Sequence, residues 1–260
     1  MKDIQGDLQR AKDADEEKLR VLIHHQSPRV ISQVLMNPNL TEDIVLLIAN
    51  RRNIGSEILE SIFYDKRWKS SYRTILALSR NPKTPQKIAL SLVGSLRVFD
   101  LADLTRNQQI PINVRMKAES HILEKILSMP VGVKKFLARR ASNRIVMRLI
   151  EDGMEEVVQV CLDSPLLTEG DICKVISMKK VASHVIRRIV VHPKWSLRYH
   201  VQWVLILNNH TPLVNVVEFL KNMKTPDLRE LYSLSNTPIS TKPFIYRELF
   251  DRGESTDVIR

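Results

Sequence analysis

The sequence contains the stretch Asn37-Pro38-Asn39-Leu40-Thr41-Glu42-Asp43-Ile44, and a related stretch, Asn81-Pro82-Lys83-Thr84-Pro85-Gln86-Lys87-Ile88, begins 44 positions later. In both, an Asn-Pro pair precedes a hydroxyl residue and then an apolar run. Proline ends one helix or opens the next, and hydroxyl groups and early carboxylates favour helix starts. The two stretches therefore predict short helices that are separated by one recurring kind of turn.

The apolar residues around these stretches recur with a helical period of about 3.6 rather than 2. Ile44, Leu47 and Ile48 show the spacing that places side chains on one face of a helix. Only 7 of the 260 residues are glycine, which leaves little for tight hairpins or phosphate-binding loops. The alternative is a strand over Ile189-Val190-Val191, because β-branched residues favour strands. The predicted fold class is all-α.

The chain also resembles itself when it is shifted by 127 positions, which places Trp68 on Trp195. Without a gap, residues 22–104 match residues 149–231 at 19 of 83 positions. Tyr72 with Tyr199 and Asn81 with Asn208 are further identical pairs. Short helical units cannot each bury an apolar face alone, whereas stacked units share one core. We therefore expect an α-solenoid of short antiparallel helices, internally duplicated with an offset of 127 positions.

The Asn-Pro-x-x-[Thr/Pro] openings, each followed by a short apolar helix, resemble those of bacterial HEAT-like and leucine-rich-repeat-variant solenoids. The resemblance covers residues 20–250 and implies a binding module more than a particular activity. Some leucine-rich-repeat-variant proteins carry a cysteine-ligated iron-sulfur cluster near the N terminus. This chain has no cysteine before Cys161, so no cofactor is predicted.

The predicted organisation is a polar N-terminal arm or helix at 1–20, a first helical-repeat half at 21–128, a second half at 129–250 and a C-terminal tail at 251–260. The sequence leaves open whether the halves form one superhelix or two lobes hinged near 128–132.

The first residues and the lengths of the apolar runs indicate the cellular compartment. Residues 1–20 mix acidic and basic side chains without an apolar run, which predicts no signal peptide. The longest apolar runs, such as 44–49, are far shorter than the roughly 20 residues that cross a bilayer. Cys161 and Cys173 stand twelve apart without a CxxC motif, so no metal site is predicted. We expect a cytoplasmic protein without a transmembrane segment.

The charge of +11 is concentrated in three tracts that contain no Asp or Glu, at 66–99, 134–148 and 172–217. Ordinary solvated helices interleave the two signs, because like charges one turn apart repel. Arg140, Arg144 and Arg148 have the spacing of one helical stripe. The tracts supply the candidate anion-binding residues: Lys66, Arg67, Lys69, Arg73, Lys134, Lys135, Arg139, Arg140, Arg144, Arg148, Lys179, Lys180, Arg187, Arg188, Lys194 and Arg198.

Two interpretations of the tracts remain open. In a stacked solenoid, equivalent positions of successive repeats line one groove, so the tracts would merge into a basic surface. Alternatively, the residues point to different faces and merely keep the protein in solution.

The aromatic residues within the tracts allow two roles. Trp68 and Tyr72, like Trp195 and Tyr199, stand among basic residues and could stack on exposed bases. A Trp at the same place in both copies more often fills the same core pocket. Trp203 replaces Leu76 of the first half, which also indicates core volume.

No catalytic motif is present. The sequence lacks GxSxG and GxxxxGK[ST], and Asp100 and Asp227 are isolated carboxylates without an assignable role. Four histidines are spread over different helices or turns without an HExxH motif: His184, His192, His200 and His210. No catalytic, cofactor-binding or metal-binding residue is therefore predicted.

The sequence favours a non-enzymatic helical-repeat binding or scaffold module that recognises a protein or an anionic partner through a basic surface. The alternative is a nucleic-acid-binding HEAT-like protein, by analogy with HEAT-like DNA glycosylases that scan DNA with a basic face. Attachment to anionic lipid ranks last, because no amphipathic helix with bulky exposed apolar residues is evident.

Overall fold

The computed structural model describes residues 4–254, and every regular element in this part of the chain is helical. The all-α prediction is therefore confirmed. The strand alternative is wrong, because Ile189 and Val190 lie in the helix Ser183–Val190 and are buried on its apolar face. None of the helices within 4–254 is long and apolar enough to cross a bilayer.

The chain divides into two compact units, with the boundary between Lys125 and Ile126. The helices of the first unit are α1 (Ile4–Asp13), α2 (Glu16–Leu22), α3 (Pro28–Met36), α4 (Glu42–Ala49), α5 (Ser56–Tyr64), α6 (Tyr72–Arg80), α7 (Gln86–Leu92), α8 (Val98–Arg106) and α9 (Ile112–Leu123). The helices of the second unit are α10 (Val131–Arg140), α11 (Asn143–Asp152), α12 (Glu155–Leu162), α13 (Glu169–Ser177), α14 (Ser183–Val190), α15 (Tyr199–Ile206), α16 (Leu213–Asn222), α17 (Thr225–Ser233) and α18 (Lys242–Asp251). Single 3₁₀ turns occupy Val93–Ser95 and Ile126–Ser128.

The helices described in the second unit begin at a constant distance from those in the first. From α1 and α10 through α8 and α17, each pair of starting residues is 127 positions apart, as Tyr72 and Tyr199 show. Only the last pair departs, because α9 begins at Ile112 and α18 at Lys242. The spacing that aligned the sequence thus also relates the helix starts.

Within each unit, helices two apart along the chain pack against each other. In the first unit α1 contacts α3, α3 contacts α5 and α4 contacts α6. In the second unit α10 contacts α12, α12 contacts α14 and α13 contacts α15. Fully buried aliphatic side chains, such as Ile44, Ile48 and Leu59, belong to the hydrophobic core of the first unit. Their burial drives the packing of the helices.

Threonines at equivalent positions precede α4 and α13 but behave differently. Thr168 and Asp171 form a capping box, in which each side chain accepts a hydrogen bond from the other residue's backbone N–H. Thr41 precedes α4 without a capping hydrogen bond, and its buried hydroxyl has no partner. The side chain of Thr168 therefore caps its helix, whereas that of Thr41 does not.

The asparagine of the Asn-Pro motif joins two helix ends. The side-chain Nδ2 of Asn81 donates to the carbonyl oxygens of Ala49 at 2.6 Å and Arg51 at 2.9 Å, at the end of α4. Its Oδ1 accepts from the backbone N–H of Lys83 and so closes its own turn. One buried amide therefore satisfies carbonyls that the end of a helix leaves without partners.

The same clamp recurs at two other turns. Asn37 donates to the carbonyls of Ala11 and Ala14 at 2.8 and 3.1 Å, and Asn208 donates to the carbonyl of Ile176 at 2.7 Å. Both accept from the backbone N–H two residues later. We call these three side chains the asparagine clamps.

Replacing Asn81 with alanine should lower the free energy of unfolding by about 2–3 kcal/mol, because buried carbonyls lose their donor. Urea unfolding followed by circular dichroism measures the change. Asn113→Ala is the matched control, since Asn113 is exposed on α9. Equal stability of the two variants would show that the clamp does not hold the helix ends together.

A charged contact ties the first helix of each unit to the residues at or just after the end of its second helix. In the first unit His25 Nε2 lies 3.4 Å from Asp7, and in the second unit Lys134 Nζ lies 2.7 Å from Asp152. Asp7 and Lys134 are 127 positions apart, as are His25 and Asp152. A contact between a basic and an acidic side chain therefore occurs at equivalent positions, with the two residue types exchanged. Lys134 also donates to the carbonyl of Leu127 and is only 2% exposed.

Replacing Lys134 with methionine should destabilise the second unit by about 3 kcal/mol, because Asp152 loses its partner in a largely buried place. The double variant Lys134→Met with Asp152→Leu should recover most of this loss, since no unpaired charge remains. Urea unfolding of both variants measures the difference. A double variant no more stable than the single one would contradict the ion-pair explanation.

The predicted arm and tail are partly covered by the described residues. The segment 1–20 holds α1 and most of α2, whose Ala11 and Leu19 are fully buried. At the other end, Arg252 donates to the carbonyl of Met223, and Glu254 pairs with Arg229. Residues 1–3 and 255–260 of these predicted segments lie outside the described part.

Candidate anion-binding surfaces

Several cations of the acid-free tracts meet carboxylates from a neighbouring helix. Arg73 on α6 lies 2.9 Å from Asp43 and 3.5 Å from Glu42, both at the start of α4. Arg80, on the same helix, lies 2.9 Å from Asp100 on α8. A tract that contains no acidic residue in the sequence can therefore still lie beside acidic residues of other helices in the fold.

The same pairing occurs in the second unit. Arg188 on α14 and Lys135 on α10 each lie 2.5 Å from a carboxylate at the start of α12, Glu155 and Glu156 respectively. Arg148 lies 3.1 Å from Glu151 on its own helix. Together with the buried Lys134, these side chains are committed to contacts within the unit.

Arg67 serves the fold in another way. Its guanidinium forks onto Asp65 and donates to the carbonyls of Leu35 and Asn37, at the end of α3. The hydrogen bonds from Arg67 hold the pKa of the Asp65 carboxyl below its usual value. A cation at a helix C terminus also opposes the negative end of the helix dipole.

The predicted stripe of Arg140, Arg144 and Arg148 is wrong. α10 ends at Arg140, Ala141 and Ser142 are extended, and α11 begins only at Asn143. The three arginines therefore do not share one helix. Arg139, Arg140 and Arg144 are exposed, and each takes part in an interaction.

Among the described candidates, a smaller set is exposed and pairs with no carboxylate. It contains Lys66, Lys69, Lys179, Lys180, Arg187, Lys194 and Arg198. Arg187 donates to Ser183 on its own helix, and the ammonium of Lys194 lies 3.9 Å from the centre of the Trp195 ring. The others lie in turns or, for Arg198, at the cap position of α15.

A tyrosine latch joins the start of α6 to the start of α8 in the first unit. Tyr72 donates its hydroxyl hydrogen to Asp100 and accepts from the backbone N–H of Arg97 at 3.1 Å. The Arg97 guanidinium covers the Tyr72 ring at 4.5 Å. The latch therefore ties the start of α6, which follows the turn that carries Lys66 and Lys69, to Arg97 at the start of α8. We call Lys66, Lys69 and Arg97 the first basic edge.

The second unit repeats the latch. Tyr199 donates to Asp227 and accepts from the backbone N–H of Lys224 at 3.0 Å. Lys194 and Arg198 lie just before α15, while Lys224 lies just before α17, and all three side chains are exposed. We call Lys194, Arg198 and Lys224 the second basic edge.

Both latch tyrosines are kept as hydrogen-bond donors. Burial, together with the neighbouring carboxylates Asp100 and Asp227, raises the pKa of Tyr72 and of Tyr199. The candidate set from the sequence omitted Arg97 and Lys224. The sequence could have indicated both residues, because Arg97 and Lys224 stand 127 positions apart and each precedes a helix.

The tryptophans divide into three situations. Trp195 is 2% exposed and donates its Nε1–H to the carbonyl of Leu162 at 2.9 Å, so its core role is confirmed. Trp68 is partly buried against the hydrophobic core of the first unit. Trp203 is half-buried, like Leu76 at the equivalent position, and it also lines a cleft.

The four histidines also separate. His184 contacts the carbonyl of Gly153 at 2.5 Å, and the buried His192 lies 3.2 Å from Asp163. His200 and His210 are exposed. Within 4–254, no group of three or more His, Cys, Asp or Glu side chains is placed to hold a metal ion.

The two thiols lie in different surroundings. Burial raises the pKa of Cys161 to about 12, and burial together with Glu169 raises the pKa of the half-buried Cys173. The thiolate is the nucleophilic form of cysteine, so a raised pKa suppresses reactivity.

Cys161 should resist iodoacetamide in the folded protein at pH 8, because its thiol is inaccessible and protonated. Cys173 should react slowly, and both should react fully in urea, as mass spectrometry of tryptic peptides would show. Alkylation of Cys161 at the same rate with and without urea would contradict its burial.

Comparison with protein-family models, with curated proteins and with solved structures finds no match for this chain.

Proposed function

We propose that this chain is a non-enzymatic, HEAT-like α-solenoid that arose by duplication of a nine-helix unit and binds an anionic partner through its basic edges. The duplication is supported by the constant spacing of 127 positions between helix starts and by the equivalent contacts of Asn81 and Asn208. The repeated latch of Tyr72 and Tyr199 supports it as well.

The observation that carries the binding proposal is that exposed cations without a carboxylate partner recur in corresponding turns of the two units. Elsewhere in the tracts, several cations, such as Arg73 and Arg188, pair with carboxylates of neighbouring helices. In the turns before α6 and α8, and before α15 and α17, the cations of the basic edges are exposed and pair with no carboxylate. Arg67, in the first of these turns, differs because it pairs with Asp65. Both basic edges would therefore attract an anionic partner over distances near a Debye length.

The surroundings of the second basic edge favour a protein as the partner. Val191 and Leu197 are 67% and 78% exposed and flank Lys194 in the same loop. Tyr64, the equivalent of Val191 in the first unit, is 64% exposed. Cations interleaved with exposed apolar side chains suit an acidic segment that also carries apolar residues.

Nucleic acid is the alternative partner, because the basic edges would also attract phosphates. The tryptophans next to the edges argue against single strands bound by stacking. Trp195 is buried and Lys194 covers its ring, while Trp68 packs on the core.

Fluorescence anisotropy with a labelled peptide of alternating Glu and Leu, and with a labelled DNA duplex, tests the proposal. We expect saturable peptide binding that weakens as salt rises from about 50 to about 200 mM. Lys194→Glu with Arg198→Glu should weaken it at least about tenfold, because favourable charges become repulsive. Leu197→Ser should weaken peptide binding but not duplex binding.

The matched control is Lys12→Glu with Lys117→Glu, which changes the net charge equally at exposed lysines outside the tracts. Circular dichroism verifies that all variants stay helical. If the duplex binds and the peptide does not, the partner is nucleic acid. If neither probe binds, or if the control weakens binding as much as the edge variant, the basic edges are not a binding surface.

A further inference from the structure

A cleft of about 370 Å³ lies in the second unit, away from the turns that form its basic edge. It is bordered by the ends of α13 and α15, by the turn between α15 and α16, and by Asn236 in the turn before α18. Pockets that hold small ligands span about 300–1,000 Å³. The volume therefore suits a small molecule rather than a segment of a protein.

The cleft is lined by a positive charge, that of Lys179. Lys179 and His210 line it, and none of its lining residues is acidic. Lys179 is exposed, and its ammonium has no partner among the described residues. Two nitrogen donors without a carboxylate nearby favour an anionic group such as a phosphate.

The cleft also carries an aromatic surface. Trp203 on α15 is half-buried, and its Nε1–H makes no hydrogen bond within the described residues. The equivalent position in the first unit is Leu76, and other tryptophans of the chain pack on the core. An indole that borders a cleft is a platform on which a planar ring can stack.

Two amides complete the lining. Asn209 and Asn236 are exposed, and their side chains have no hydrogen-bond partner among the described residues. Asn208 differs, because it is committed to its clamp on the carbonyl of Ile176. A carboxamide can donate and accept at once, which matches the N6 and N7 edge of adenine.

We propose that this cleft binds a purine nucleoside phosphate. The phosphate meets Lys179 and His210, the base stacks on Trp203, and Asn209 or Asn236 contacts the base edge. The same chemistry is offered by a free nucleotide and by the phosphorylated end of a strand. The residues differ from those of the basic edges, so the inference stands independently of the proposed function.

Isothermal titration of the full chain with AMP, adenosine and inorganic phosphate tests this assignment. We expect AMP to bind at least about tenfold more tightly than adenosine or phosphate, because only AMP uses both parts of the cleft. Titration with a 5′-phosphorylated oligonucleotide separates the two sources. If the oligonucleotide binds and AMP does not, the ligand is a strand end.

Three variants assign the roles. Lys179→Ala should weaken AMP binding about tenfold and leave adenosine binding unchanged. Trp203→Leu, which installs the residue of the first unit, should weaken both ligands, whereas Trp203→Phe should retain part of the affinity. Lys180→Ala is the matched control, since Lys180 is an exposed neighbour that does not line the cleft.

The assignment is overturned if neither AMP nor the oligonucleotide binds saturably at millimolar concentration. It is equally overturned if Lys180→Ala weakens AMP binding as much as Lys179→Ala, because the effect would then be one of net charge. The variant Lys194→Glu with Arg198→Glu should leave AMP binding intact. Loss of peptide binding together with retained AMP binding would separate this cleft from the basic edges.

Discussion

The packing of the short helices depends on the hydrogen bonds of the asparagine clamps. The helices are short, mostly seven to ten residues, so a large share of their backbone carbonyls lies in unpaired last turns. Burying such ends is costly unless another group donates to them. Asn37, Asn81 and Asn208 provide that donor from a turn that lies 23 to 32 positions further along the chain. One side chain thereby joins the ends of two helices that are two apart along the chain.

Ion pairs also join neighbouring helices on the surface of each unit. Arg73 and Arg188 reach carboxylates that lie about 30 positions earlier, on a neighbouring helix. Such exposed pairs contribute little stability individually. They do remove charge from the tracts, and the cations they leave unpaired are concentrated in turns. The proposed binding surface is therefore set by the cations that helix packing leaves without a carboxylate partner.

The helix class and many helix boundaries followed from the sequence, because period, proline and capping residues act locally. The offset of 127 positions gave the correspondence of helix starts. The break between Arg140 and Asn143 was not predicted, since no proline or glycine marks it. Lys134 was placed on the surface because its partner, Asp152, lies on the next helix and is remote in sequence. The basic edges were predicted only in part, since the latch of Tyr72 on the backbone of Arg97 depends on packing.

The exchange of acidic and basic residues between the Asp7–His25 and Lys134–Asp152 contacts has a consequence for folding. A chain with two similar sets of helices risks docking a helix from one set into the other while it folds. If α1 occupied the place of α10, Asp7 would face Asp152, and two carboxylates would be buried together. If α10 occupied the place of α1, Lys134 would face His25, which offers no negative charge. The exchange of acid and base at equivalent positions therefore disfavours docking of either opening helix in the place of the other.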